Sequence, residues 1–169
     1  MFYESIRQFH HILGNLDAIM AKAEAHAQAV GFSPDNWVGM RLAPDMLPFA
    51  YQIRIACDSS KGAAANLSGQ VAPKHADDET TFAQLRERIP KVRAYLDTFK
   101  PEDFAGTPND KVVPIPYPPG KFMHAQAYLV QRQIPQVYFH VVTAYDILRS
   151  GGVQIGKADY LGSLPFVDG

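Results

Sequence analysis

Nine apolar residues at the start of the chain recur at alternating spacings of four and three: Phe2, Ile6, Phe9, Leu13, Leu16, Met20, Ala23, Ala27 and Val30. An α-helix brings such positions onto one side, so they form one continuous apolar stripe. Asp17, Lys22, Glu24 and Gln28 fall off the stripe, and Gly31 stands where a left-handed C-terminal residue is wanted. At about 1.5 Å per residue, a helix of about 28 residues is roughly 40 Å long. Its apolar side must be covered by partners of similar length.

The rest of the chain supplies them. Met46, Phe49, Ile53, Ala56, Ser60, Ala63 and Leu67 repeat the rhythm. Pro44 and Asp45 suit the opening turn of that helix, Pro48 falls in or near it, and Gly69 closes it. Gly62-Ala63-Ala64-Ala65 would let a neighbouring helix approach closely. A third helix opens at the capping-box pattern Thr81-Phe-Ala-Gln84 and carries Phe82, Leu85, Ile89, Val92, Leu96 and Phe99. Pro90 predicts a kink or a broken hydrogen bond near Arg86. From Phe104 to His124 the period stops, and an irregular hairpin of Val112–Ile115 against Lys121–Met123 is expected. The fourth helix carries Ala127, Val130, Ile134, Val137, Val141, Ala144 (or Tyr145) and Leu148, with Pro135 in its middle freeing the carbonyl of Gln131, and stops at Gly151-Gly152. The reading is an all-α four-helix bundle with one long crossover. It is one domain over residues 1–169, with 153–169 as an extended tail across the bundle or a neighbouring subunit.

Composition narrows the function classes. With 16 Lys+Arg against 17 Asp+Glu, the 169-residue chain has a formal net charge of −1. It therefore lacks the basic footprint that nucleic acid or an anionic membrane surface would select. One cysteine excludes a disulfide framework and every Cys-pair zinc site. No apolar run approaches the ~20 residues of a membrane span, and Met1-Phe2-Tyr3-Glu4 lacks the build of a signal peptide. A cytoplasmic protein with neither nucleic-acid nor membrane partner is expected.

Motif by motif, little chemistry stands out. Gly151-Gly152-Val-Gln-Ile-Gly156-Lys157 spells most of a phosphate loop, but Ala158 replaces the hydroxyl and the stretch follows a helix instead of a strand. Asn66-Leu-Ser68 is a glycosylation sequon by spelling alone. Asp77-Asp78-Glu79 reads as capping of the third helix. Cys57 reads as a buried small side chain. His10 and His11 diverge by about 100° on one helix, His26 lies off the stripe, His75 lies in a loop, and His124 begins the fourth helix. His140 lies within an apolar stretch. Gln136, His140, Thr143 and Tyr145 on the fourth helix could face Tyr51, Gln52 and Asp58 on the second. Such a polar group in a bundle core is either a cavity holding water or ligand, or a satisfied network that fixes helix register.

Several strings resemble the DinB/YfiT-like superfamily, specifically a bacterial branch known as a domain of unknown function. They are Arg41-Leu-Ala-Pro-Asp45-Met, Glu79-Thr-Thr-Phe82, Tyr138-Phe-His140-Val-Val-Thr-Ala-Tyr145-Asp-Ile-Leu-Arg149 and Gly152-Val-Gln-Ile-Gly156-Lys157. The resemblance runs from Phe2 to about Leu161. It implies a bundle that often dimerises and, in many members, a divalent metal held by one histidine of the second helix and two of the fourth, four residues apart. Here His140 falls on the last of these positions, Gln136 on the one before it, and Gln52 near the helix-2 position. Amides are poor ligands for Zn²⁺ or Ni²⁺ beside imidazole. The expectation is therefore a homodimer with a degenerate metal site and no cofactor, binding a small molecule near Gln52, Gln136, His140, Tyr145, Asp45 and Asp58. The rivals are a metal-dependent hydrolase or thiol transferase using His140 with Asp45 or Asp58, and a structural or interaction module whose tail completes a dimer.

Overall fold

The computed structural model describes residues 1–167. Helix α1 runs Phe2–Val30 and ends on Gly31, whose φ of 86° is the left-handed stop its sequence position called for. Every member of its stripe is buried except Val30 at the frayed end. Helix α2 spans Phe49–Ser68 and helix α3 spans Phe82–Asp97. The capping box at Thr81 and Gln84 is formed, each side chain meeting the other residue's backbone N–H. Pro90 lies inside α3, which continues through it. A turn at Glu102–Ala105 leads to strands β1, Val112–Ile115, and β2, Lys121–His124, paired antiparallel with Pro114 opposite Phe122.

The fourth long helix, α4, is built from three contiguous pieces: Ala125–Ala127, a π-helical stretch Tyr128–Gln133, and Ile134–Ser150. Together the four long helices form the expected all-α bundle. Helix α2 packs most extensively against α4, and α3 closes against α1 and α2.

Three local details differ from the sequence reading, each for a physical reason. Helix α2 does not begin at Pro44–Met46. A proline disfavours helical backbone in the residue before it, which sets a helix boundary at Leu47-Pro48. Pro48 instead sits extended as the N-cap, while Phe49 and Ala50 donate backward to the carbonyls of Met40 and Val38. Pro135 sits in the middle of α4 as expected, but directly after a π-helical stretch the sequence did not announce, where the N–H of Ile134 reaches the carbonyl of Leu129, five residues back. The wider turn takes in a residue that cannot donate.

The third difference is the tail. Val153 and Ile155 are buried, and Lys157–Leu161 forms a short helix, α5, packed on α1. His11 Nε2 bonds the carbonyl of Leu161 at 3.0 Å, Asn15 Nδ2 donates to that of Tyr160 at 2.9 Å, and Lys22 pairs with Asp159. The segment folds back on its own chain as a strap, and of the extended tail read over 153–169, residues 168–169 lie outside the described residues.

The crossover is anchored where α2 ends. Lys111 Nζ donates to the carbonyls of Asn66 and Leu67 at 2.9 and 3.2 Å, and Thr107 Oγ1 donates to Leu67 at 2.8 Å. A cation on the last carbonyls of a helix meets the negative end of its dipole.

Candidate functional site

Because α2 starts at Phe49, its first turn carries Gln52 directly above the carbonyl of Leu47. Gln52 Nε2 donates to that carbonyl at 2.7 Å. This bond orients the amide, since a flipped amide would set oxygen against oxygen. Gln52 Oε1 therefore points away as an acceptor, and His140 Nδ1 lies 2.7 Å from it. The donor on that contact is the imidazole, so His140 is held as the Nδ1–H tautomer. Its Nε2 carries the lone pair and bonds to no described residue.

Gln52 is 1% exposed and His140 8%. Burial disfavours the imidazolium and lowers the His140 pKa from 6.5 to about 4. The ring is thus a neutral hydrogen-bonded group across the physiological range, with Phe139 edge-on to it at 5.2 Å.

The other residues expected here stand apart. Gln136 lies one turn before His140, half-buried, outside the bonded pair. Asp45 is exposed in the loop before α2. Asp58 binds Arg88, with Asp58 Oδ1 2.6 Å from Nη2. Tyr145 turns to the strap, its hydroxyl 3.4 Å from the carbonyl of Ile155 and its ring beside Tyr160. Thr143 caps back onto the carbonyl of Phe139, and Tyr51 is exposed with the Arg54 guanidinium over its ring. Among the described residues no carboxylate bonds to His140: Asp45 is exposed in the loop before α2 and Asp58 is paired with Arg88. Hollows of about 320 to 390 Å³ lie elsewhere on the surface, lined by other residues. Between Gln52 and His140 the space is taken by their direct hydrogen bond.

This arrangement also answers whether a metal fits. A metal held here would need three donors turned to one point. Gln52 spends both amide atoms on Leu47 and His140, which leaves one imidazole nitrogen and the Gln136 amide. No group of three or more His, Cys, Asp or Glu close enough to share an ion occurs among the described residues. The residues do not fit a divalent ion.

Sequence reasoning missed a second polar group. Arg88 on α3, its side chain 1% exposed, meets Asp58, Asp77 and Glu79 at 2.6 to 2.7 Å. Arg88 is spaced three from Leu85 and four from Val92, so it stood on the α3 stripe, and a charge on an apolar stripe needs partners. Cys57 is fully buried in the same region, where burial pushes its thiol up to about 12 and leaves it unreactive.

Fold and site together define a DinB-like helical bundle. The crystal structure of a DinB family member from Shewanella denitrificans is 42% identical, covers 97% of this chain and 93% of its own, and superposes with a TM-score of 0.91. The family model for a domain of unknown function, DUF1993, matches residues 1–161. The chain therefore belongs to the DUF1993 family. No curated protein matches it. No helix among the described residues is long and apolar enough to cross a membrane.

Proposed function

We propose that this protein is a non-catalytic bundle that acts by self-association, and that Gln52 and His140, at the positions where the superfamily resemblance implies metal ligands, form instead a bond that fixes the register of α2 against α4. One observation carries the reading. The Gln52–His140 pair is bonded to itself, while apolar side chains beside it face solvent: Leu47 is 47% exposed and Phe139 56%. Val142, three residues from Phe139 and so on the same side of α4, is 39% exposed.

A polar pair sealed under an apolar rim suits a surface that meets another protein surface, and a second copy of the chain supplies the matching rim by two-fold symmetry. A cytoplasmic homodimer, as read from the sequence, is part of this proposal. Sedimentation velocity tests it. Wild type at tens of micromolar is expected to sediment as a dimer, and Phe139→Glu as a folded monomer. A monomeric wild type, or a dimer untouched by Phe139→Glu, would sink the proposal.

A second reading rests on the unpaired Nε2 of His140 and the unbonded Gln136 one turn away. These would take a small molecule bearing a hydroxyl or N–H donor. A fragment screen by thermal shift on wild type and His140→Gln separates the two readings, since hits lost in the variant favour the small-molecule one.

A further inference from the structure

A cleft between α2 and α3 holds a group of buried charges that the Gln52–His140 site does not use. Its bundle side contributes Arg54, Lys61 and Arg88, with side chains 13%, 10% and 1% exposed, against the single carboxylate of Asp58. Three positive charges to one negative would be costly to bury. The loop joining the two helices restores neutrality. Asp77 and Glu79 both reach Arg88 Nη1, at 2.6 and 2.7 Å, and Glu79 also takes Arg54 Nε at 2.9 Å. Lys61 donates to His75 Nδ1 and pairs with Asp58 at 2.7 Å.

Those charges are what hold the loop. No backbone-to-backbone hydrogen bond involves residues 71–79 among the described residues, and Val71 is 89% exposed. Asp77 is held at φ 58°, a left-handed backbone that a residue with a Cβ adopts at a cost. Over the group lies a hollow of about 370 Å³ lined by His75, Glu79 and Arg88, its rim carrying Lys74 and Lys91 against Asp78 and Glu87. Arg88 Nε is buried with no hydrogen-bond partner in the described structure. The guanidinium thus has a donor that its own loop does not satisfy.

We propose that this cleft is a receptor for a doubly charged oxyanion of phosphate type, and that the loop plugs it with Asp77 and Glu79 when no anion is bound. Two negative charges must be replaced, and the donors left behind suit a compact oxyanion. Arg88 Nη1, freed of both carboxylates, offers its two N–H groups, and Arg54 and Lys61 on α2 add one donor each, while Asp58 keeps Nη2. Glu79 shows how well the cleft holds a negative charge. Burial works against its ionisation, yet the Arg88 hydrogen bond, a backbone N–H and the Arg88 charge, with a smaller share from Arg54, outweigh it and hold the carboxyl below its usual value. The tethered plug acts at an effective concentration in the millimolar range, so it weakens capture of a free anion without abolishing it.

Heteronuclear NMR and calorimetry test this with inorganic phosphate as the probe and chloride at equal ionic strength as the control. In wild type, phosphate is expected to displace the amide resonances of residues 75–79 saturably while leaving those of α4 unmoved. The variant Asp77→Asn/Glu79→Gln, its plug discharged, is expected to bind phosphate at least tenfold tighter than wild type. Loop resonances that phosphate leaves unmoved in wild type overturn the proposal, as does a folded variant that binds no tighter. Should the variant fail to fold, the wild-type resonances decide alone.

Discussion

Acid should weaken this fold through one imidazole, by an amount the structure sets. In the unfolded chain His140 takes a proton near pH 6.5. In the native protein, burial holds that event back to about pH 4. Between these values the unfolded state binds more protons than the native state, so stability falls as pH falls. The contribution is fully present above about 6.5 and is lost progressively toward 4. At ~1.4 kcal/mol per pH unit, the depression amounts to about 3 kcal/mol. That is a large share of the roughly 5–15 kcal/mol by which domains are stable. Urea midpoints measured from about pH 7 to about pH 4 on wild type and His140→Gln isolate it. The glutamine amide can still donate to Gln52 Oε1 but does not titrate. His10 and His75, also lowered mainly by burial, and the carboxylates of Glu79, Asp97 and Asp159 are common to both proteins and cancel in the difference. The wild-type curve should fall more steeply by about 3 kcal/mol over this range. Parallel curves would refute the reasoning, because they would mean that His140 titrates alike in both states.

Three further outcomes follow from particular contacts. Arg88→Met leaves Asp58, Asp77 and Glu79 without their shared cation and should cost about 3–5 kcal/mol in urea unfolding at neutral pH; a loss under ~1 kcal/mol would mean that the carboxylates are satisfied by water. Gly162→Ala places a Cβ in overlap with the Asn15 side-chain amide at a φ of +66°, so the strap around α5 should become sensitive to limited proteolysis while α1–α4 stay intact. Thr81→Ala removes the hydroxyl that accepts from the Gln84 N–H at 3.2 Å and should cost about 1 kcal/mol by thermal unfolding.

The sequence disclosed the bundle because its signals were redundant. In α1, period, length and a terminal glycine agree; in α3, the capping box marks the start and Leu85, Ile89 and Val92 mark the buried side. Where one signal stood against another, boundaries moved. Pro44 looked like a helix start, but the restriction Pro48 places on Leu47 decided the matter. In α4 the π-helical stretch shifts the phase. Val130, counted on the stripe, is 46% exposed, while Leu129 and Gln133 face inward before the pattern resumes at Val137, Val141 and Ala144.

The Gln52–His140 contact was legible only as one of several possible facings between the second and fourth helices, because it joins residues 88 apart in the chain. Asp58 was misplaced for a geometric reason: six residues beyond Gln52 it lies about 240° around the helix, on the side that faces α3. Asp77 and Glu79 were read as caps, a local role, because their true partner, Arg88, is reached through a loop whose path no periodicity encodes.

The most direct test of the account is the state of one ring. Long-range ¹⁵N–¹H NMR of the histidine side chains at neutral pH, with and without Zn²⁺, reports which nitrogen of His140 carries the proton and whether either binds metal. The account predicts a single Nδ1–H tautomer with a free, pyridine-like Nε2 that added Zn²⁺ leaves unmoved. An Nε2–H tautomer, a ring averaging between the two, or a His140 signal displaced by stoichiometric Zn²⁺ would contradict it and return the site to metal chemistry.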